Sequence, residues 1–188
     1  EVHDLFVPST RTYDPTDVPR EKGSLYAIPR TLLFASGDAT IALGVARASL
    51  TTAVEFVGAK TPGRMATTLP TQSTTHRLIG EAEATWRSAR AYLHESADAV
   101  WDNACQNRAV GLEERIQLRL ASTYAIRMAA ETVDIAYNLC GSSAIFASNP
   151  IHRQFQDIHV ITQHTQGNFS HYETAGQFLL GMEPEGTY

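Results

Sequence analysis

The chain has 188 residues, 43% of them hydrophobic and 19% charged, with 15 Lys and Arg against 20 Asp and Glu for a formal net charge of -5. That length and balance fit one folded domain able to bury a core without disulfides or a structural metal, and they argue against disorder and collagen-like structure. The charges are spread along the chain, leaving no basic stripe for nucleic acid; no apolar run approaches the roughly 20 residues of a membrane span and no signal-peptide pattern opens the sequence, so a soluble, cytoplasmic protein is expected.

The first thirty residues differ from the rest. Leu5, Phe6 and Val7, closed by Pro8, suggest the end of a strand, and Pro15, Pro19, Gly23 and Pro29 then punctuate a connector with little regular structure. A lone strand cannot satisfy its own backbone, so this segment predicts a partner sheet supplied from elsewhere. Residues 1–30 are read as the tail of a missing β-domain plus a connector, and residues 31–188 as a helical domain.

Over residues 32–60, Ala39, Leu43, Ala46, Leu50, Ala53 and Val57 recur at spacings of three and four, which is one helical face sustained for several turns. Gly37, Gly44 and the alanines suit close approach of another helix. Thr61, Pro62 and Gly63 break the pattern. A second helix is expected over 71–107 through Leu78, Ala82, Thr85, Ala89, Leu93, Ser96, Val100 and Ala104, and a third through Leu118, Ala121, Ala125, Met128, Thr132, Ile135 and Leu139. Gly141 suits a left-handed cap at the end of that third helix. Trp86, Trp101 and Tyr92 are read as packing residues.

Asn149 and Pro150 form an N-cap and first-turn pair for a fourth helix that buries Ile151, Phe155, Ile158 and Thr162. Ser170 and Glu173 have the spacing of a capping box, behind Phe169, for a fifth helix ending near Gly181. Three long helices and two short ones predict an all-α antiparallel bundle with a short irregular or extended N-terminal segment. Cys105 and Cys140 lack CxxC spacing and read as two buried reduced thiols, and the seven histidines form no compact metal-ligand motif, so no metal is expected.

Arg153, Asp157, Val160 and His164 fall at spacings of 4, 3 and 4 and share one face of the fourth helix. By periodicity alone they read as a surface ion pair beside a solvated histidine. His152 and His159 lie on a different face and read as packing or solvent-facing residues.

Residues 141–164, GSSAIFASNPIHRQFQDIHVITQH, resemble the flavin-dependent monooxygenase branch of the acyl-CoA dehydrogenase superfamily in their glycine turn, short loop, Pro-led helix and spaced Arg, Asp and His. The resemblance extends along the chain: VHDLFVPSTRTYD is similar to the end of the family's middle β-domain, residues 32–60 to its first C-terminal helix, and GQFLLGMEP to its terminal segment. It implies an oxidoreductase, the oxygenase of a two-component system that uses reduced FAD or FMN and O2 to hydroxylate an organic, aromatic or polycyclic substrate. It further implies His164 as the catalytic residue at the flavin's reactive edge, Gly141 and Ser142 as cofactor contacts reaching a neighbouring subunit's flavin, and Arg153 and Asp157 as supporting residues. The implied partners are further copies of the chain, in a dimer or tetramer built through the bundle, a flavin reductase and a small-molecule substrate.

Two departures separate the chain from the superfamily's dehydrogenases. Their catalytic glutamate lies in a YEGT-like turn, whereas here Tyr172, Glu173 and Thr174 run into Ala175 without the glycine. Their arginine before Phe-Gly in the first interhelical loop has only Arg64 as a counterpart, in TPGRMATTLP, and Arg64 is carried as a candidate cofactor contact. An acyl-CoA dehydrogenase domain, and a helical oligomerisation module inactive as an isolated chain, are the alternative readings.

Overall fold

The computed structural model describes residues 3–13, 19–59, 69–186 and 188. Among these residues the regular structure is all helical: α1 (Arg30–Ala59), α2 (Ser73–Cys105), α3 (Leu112–Cys140), α4 (Pro150–Thr162) and α5 (Ser170–Leu179), joined by short 3-10 turns. The helices predicted from periodicity are therefore present, with ends within a few residues of those expected.

The core follows from where small residues fall. α3 runs through the middle of the bundle and packs against the other four helices. Its Ala121, Ala125, Ala129 and Ala136 are fully buried, as are Ala35, Ala39, Ala42, Ala46 and Ala53 of α1. These short side chains let the helix backbones approach, and Leu32, Leu50, Ile126 and Ile158 fill the remaining space. Each such large aliphatic side chain contributes about 1.5–3 kcal/mol by leaving water. Gly37 and Gly44 take no part in this approach, because both lie on the exposed side of α1 with open space where a Cβ would stand. Close packing on α1 is the work of its alanines.

α1 has the length and mean hydropathy of a membrane span. Asp38, Arg47 and Glu55 interrupt its apolar sequence, and its buried stripe is the seam with α3.

Helix ends differ in detail from the sequence expectations. Asn149 caps α4 as predicted, accepting from the Ile151 amide at 3.1 Å with Pro150 in the first turn. Gly141 closes α3 with φ 57° and ψ -144°. The positive φ demands glycine, but ψ lies outside the left-handed helical well, in a region open essentially to glycine alone. The capping box at Ser170 is not formed. Asn168 accepts from the Ser170 amide at 3.0 Å, so the turn entering α5 is fixed one step earlier and Ser170 already belongs to the helix.

Other expectations are corrected by exposure. Cys140 is buried but Cys105 is exposed, so only one thiol belongs to the core, and neither is in a disulfide. Trp86 packs against the core and donates its indole N–H to the Leu43 carbonyl at 2.9 Å, and Tyr92 is anchored on Gln117 at 2.9 Å. Trp101 is half exposed on the rim of a shallow cleft. At the N-terminus, Leu5, Phe6 and Val7 are exposed and form no strand; the chain turns instead through a 3-10 segment at Ser9–Arg11. No sheet edge for them to pair with exists among the described residues, because every backbone ladder there is helical.

Candidate active site

α4 does not carry His164 on its face. The helix stops at Thr162, and His164 adopts extended backbone (φ -69°, ψ 150°) before the 3-10 turn Thr165–Gly167. The last carbonyls of α4 need donors: the Gln163 and His164 amides serve those of Val160 and Ile161, and α3 serves that of Thr162 and grips the turn after it from one polar ridge. Arg127 Nη2 donates to the Thr162 carbonyl at 3.3 Å and also to the Gly167 carbonyl. Thr123 Oγ1 donates to the Gln166 carbonyl at 3.2 Å. The guanidinium of Arg127 lies over the Phe169 ring, 3.8 Å from its centroid. Gly167 packs closely on α3: a Cβ there would stand 3.1 Å from Ile126 Cγ2, and that side chain would have to shift by a few tenths of an ångström to admit it.

One turn back on α3, Arg119 is buried. Its Nε donates to His171 Nδ1 at 3.2 Å and its Nη1 to Gln166 Oε1. Among the described residues it meets no carboxylate, so a buried cation is held by neutral acceptors. His171 Nε2 completes the network by donating to the Thr165 carbonyl at 2.9 Å, which assigns His171 as neutral with its proton on Nε2. Desolvation by burial, together with the nearby Arg119 charge, pushes its pKa below the ordinary imidazole value, against the smaller opposing effect of the Thr165 carbonyl.

This has a pH consequence. Above about pH 6.5 His171 is neutral both folded and unfolded and contributes no pH dependence. As pH falls from there to the lowered folded pKa, the unfolded chain takes up a proton that the folded one refuses, so stability drops across that window. Melting temperature measured from about pH 8 to 5 should fall less in His171→Asn, whose carbonyl still accepts from Arg119, than in the parent protein. Equal falls would show that other groups govern the acid limit.

Held by this network, His164 reaches a cleft of about 390 Å³ lined by Asp38, Ile41, Val160, Ile161 and Gln163. The walls are aliphatic, and Ile41 and Val160 are 59% and 71% exposed, so large apolar side chains face an open slot. The charged end is formed by His164 Nδ1 and Asp38 Oδ2, 2.9 Å apart. Asp38 was not singled out from the sequence. The available signal was its position as the one acidic residue in the first two-thirds of an otherwise apolar helix.

The other sequence candidates lie elsewhere. Arg153 Nε and Asp157 Oδ2 form the expected i, i+4 pair at 3.5 Å, well exposed and outside the cleft lining; such a pair contributes a few tenths of a kcal/mol. Gly141 and Ser142 lie in the 3-10 turn (Gly141–Ile145) before α4, at the far end of that helix from His164 and about 20 Å away along it. Arg64 falls outside the described residues. His159 is paired with Asp134 at 2.9 Å and stacks edge-on against Phe155, while His152 meets Gln156 at 3.1 Å. Glu173 lines a different, polar cleft with His171, Thr174 and Glu185, so the glutamate of the partial dehydrogenase motif and His164 do not share a cleft.

Residues 36–169 match the family described as acyl-CoA dehydrogenase, C-terminal domain. The chain belongs to that family. Among relatives of this C-terminal domain, indole-3-acetate monooxygenase of Pseudomonas putida is 29% identical over 97% of the chain and 47% of its own length. The oxygenase component of FADH2-dependent resorcinol hydroxylase from Rhizobium sp. is 26% identical over 98% of the chain and 50% of its own length. The chain thus spans about half the length of the curated relatives it matches. The fold of the Streptomyces protein XiaF, solved in complex with FADH2 and glycerol, superposes on 99% of the chain and 49% of XiaF with a TM-score of 0.88 at 21% identity. That likeness places the acyl-CoA dehydrogenase C-terminal bundle in the same fold as XiaF.

Proposed function

We propose that the full-length protein containing this domain is the oxygenase of a two-component flavin-dependent monooxygenase that hydroxylates a small aromatic substrate in the cytoplasm. The observation that carries the reading is the open aliphatic cleft with a single histidine at its charged end, in a chain whose relatives are named as monooxygenases and hydroxylases along its whole length. In this reading residues 1–30 are the tail of a β-domain with its connector, residues 31–188 are the bundle, and the remaining domains close over the exposed walls formed by Ile41 and Val160. A reductase partner supplies the reduced flavin, FAD by preference because the Rhizobium relative is described as FADH2-dependent.

The residues of the cleft fit such a group. Aliphatic walls suit the faces of a planar heterocycle or an aromatic substrate, and a lone polar end suits one reacting edge. Bound reduced flavin would supply the electrons and activate O2. His164 would hold a proton at Nε2 for, or take one from, the substrate hydroxyl at that edge. Ile41, Val160 and Ile161 would exclude water. Gly141 and Ser142 are assigned to cofactor contact on a neighbouring subunit, since the length of α4 separates them from His164 within one chain. Gly141, held in a glycine-only conformation, leaves its backbone open to close approach. Arg64 is retained as a cofactor contact, and Arg153 and Asp157 as surface support for α4, in an assembly of two or four copies.

The test is oxygen incorporation. Full-length protein given reduced flavin, 18O2 and a panel of indolic and phenolic acids should yield a product carrying one labelled oxygen. Flavin oxidation that is insensitive to every substrate, with no labelled product, would refute the monooxygenase reading.

A further inference from the structure

We propose that Asp38 is the positioning residue for His164: its carboxylate accepts a hydrogen bond from Nδ1–H, which fixes the imidazole tautomer and leaves Nε2 as the proton-accepting atom presented to the cleft. The inference deepens the assignment of His164 above and rests on it for its functional meaning, but not for its geometry.

Two partners compete for Nδ1. Asp38 Oδ2 stands at 2.9 Å, and the Gln166 amide N–H stands at 3.4 Å on the same nitrogen. They demand opposite protonation states, because a carboxylate accepts and an amide donates. If Nδ1 carried a lone pair, that lone pair would face a carboxylate oxygen at hydrogen-bond distance and gain only a long, weak bond from Gln166. With Nδ1 protonated, the 2.9 Å contact becomes a charge-assisted hydrogen bond. Asp38 therefore selects the Nδ1–H tautomer. What the Gln166 amide gives up is only a long 3.4 Å contact, while the Gln166 carbonyl and side chain stay held by Thr123 and Arg119.

The two groups are held by independent rigid elements. Asp38 projects from the third turn of α1, between the fully buried Ala35 and Ala39. His164 is fixed by the turn that Arg119, Thr123 and Arg127 grip from α3. Both side chains nonetheless line the same cleft. The second Asp–His pair of the bundle provides the contrast. Asp134 contacts His159 at its outer nitrogen, Nε2, also at 2.9 Å, so the atom that could face a ligand is consumed and the pair only cross-links α3 to α4. In the Asp38 pair the inner nitrogen is the anchored one, and Nε2 has no hydrogen-bond partner among the described residues.

The test uses full-length protein labelled with 15N-histidine, with His164 assigned by the signal lost in His164→Ala. Ring nitrogen shifts report which nitrogen carries the proton in the neutral form. The parent protein and Asp38→Glu should show His164 protonated on Nδ1. Asp38→Ala, an exchange that suits a helix interior, should move the proton to Nε2 and lower product formed per flavin oxidised roughly tenfold, the scale of one hydrogen bond to a charged group. Asp38→Asn provides a near-isosteric second variant, expected to give a mixture of tautomers. A tautomer switch with unchanged product yield would uphold Asp38 as the positioning group and instead refute a catalytic role for His164. An unaltered His164 tautomer in both folded variants would overturn the inference.

Discussion

Replacing His164 with alanine in the full-length protein is expected to cut hydroxylated product roughly 100-fold while flavin oxidation continues, the reducing equivalents appearing as hydrogen peroxide. The expectation follows from the cleft. Its aliphatic walls can exclude water and hold a ring, but they offer no proton, and the imidazole is the group with a free nitrogen at its charged end. Losing that nitrogen leaves binding surface in place and removes the means of moving a proton at the reacting edge. His159→Ala serves as the control, since His159 is equally paired with an aspartate but lines no part of the cleft. Product and peroxide measured together decide the matter. An unchanged ratio of product to flavin oxidised removes His164 from the chemistry, and an equal loss in both variants points to damage of the bundle instead.

Arg119→Ala is expected to lower stability by about 3 kcal/mol and to loosen the turn that carries His164. The substitution removes a buried side chain and leaves two buried acceptors, His171 Nδ1 and Gln166 Oε1, without their donor. Each unsatisfied acceptor costs about 1–3 kcal/mol, partly relieved by water entering the space. Arg119→Met should cost less, because it keeps most of the volume and withdraws a buried charge that has no carboxylate beside it. Hydrogen exchange resolves the local effect: amides of residues 163–171 should exchange faster in Arg119→Ala, while those in the first turns of α2, well before the Tyr92 contact with Gln117, keep their protection. Uniform loss of protection across the bundle would mean that Arg119 supports the whole core and not this turn in particular.

Much of the architecture was legible because it rests on local periodicity. Spacings of three and four residues located α1, α2, α3 and α4, since side chains that far apart on a helix share a face whatever packs against it. The Asn149 cap was legible for the same reason, its partner being the amide two residues on. The capping box at Ser170 was misread because a competing local acceptor, Asn168, reaches the same amide first. Gly37 and Gly44 were misread because small size shows that a helix could approach and cannot show that one does.

The candidate site divides along the same line. The sequence by itself determined that a helix led by Pro150 ends near His164, and its resemblance singled that histidine out. Periodicity extended the helix through His164, but the tertiary structure ends it at Thr162, where Arg127 of α3 takes the terminal carbonyl. Only the tertiary structure set Asp38 against His164, and only it stacked Arg119, Thr123 and Arg127 beneath the turn. Those partners belong to helices far away in the chain, and no local spacing rule encodes which turns of two packed helices meet. Helices follow from the order of neighbouring residues, whereas a proton held between Asp38 and His164 depends on how α1 and the end of α4 are docked.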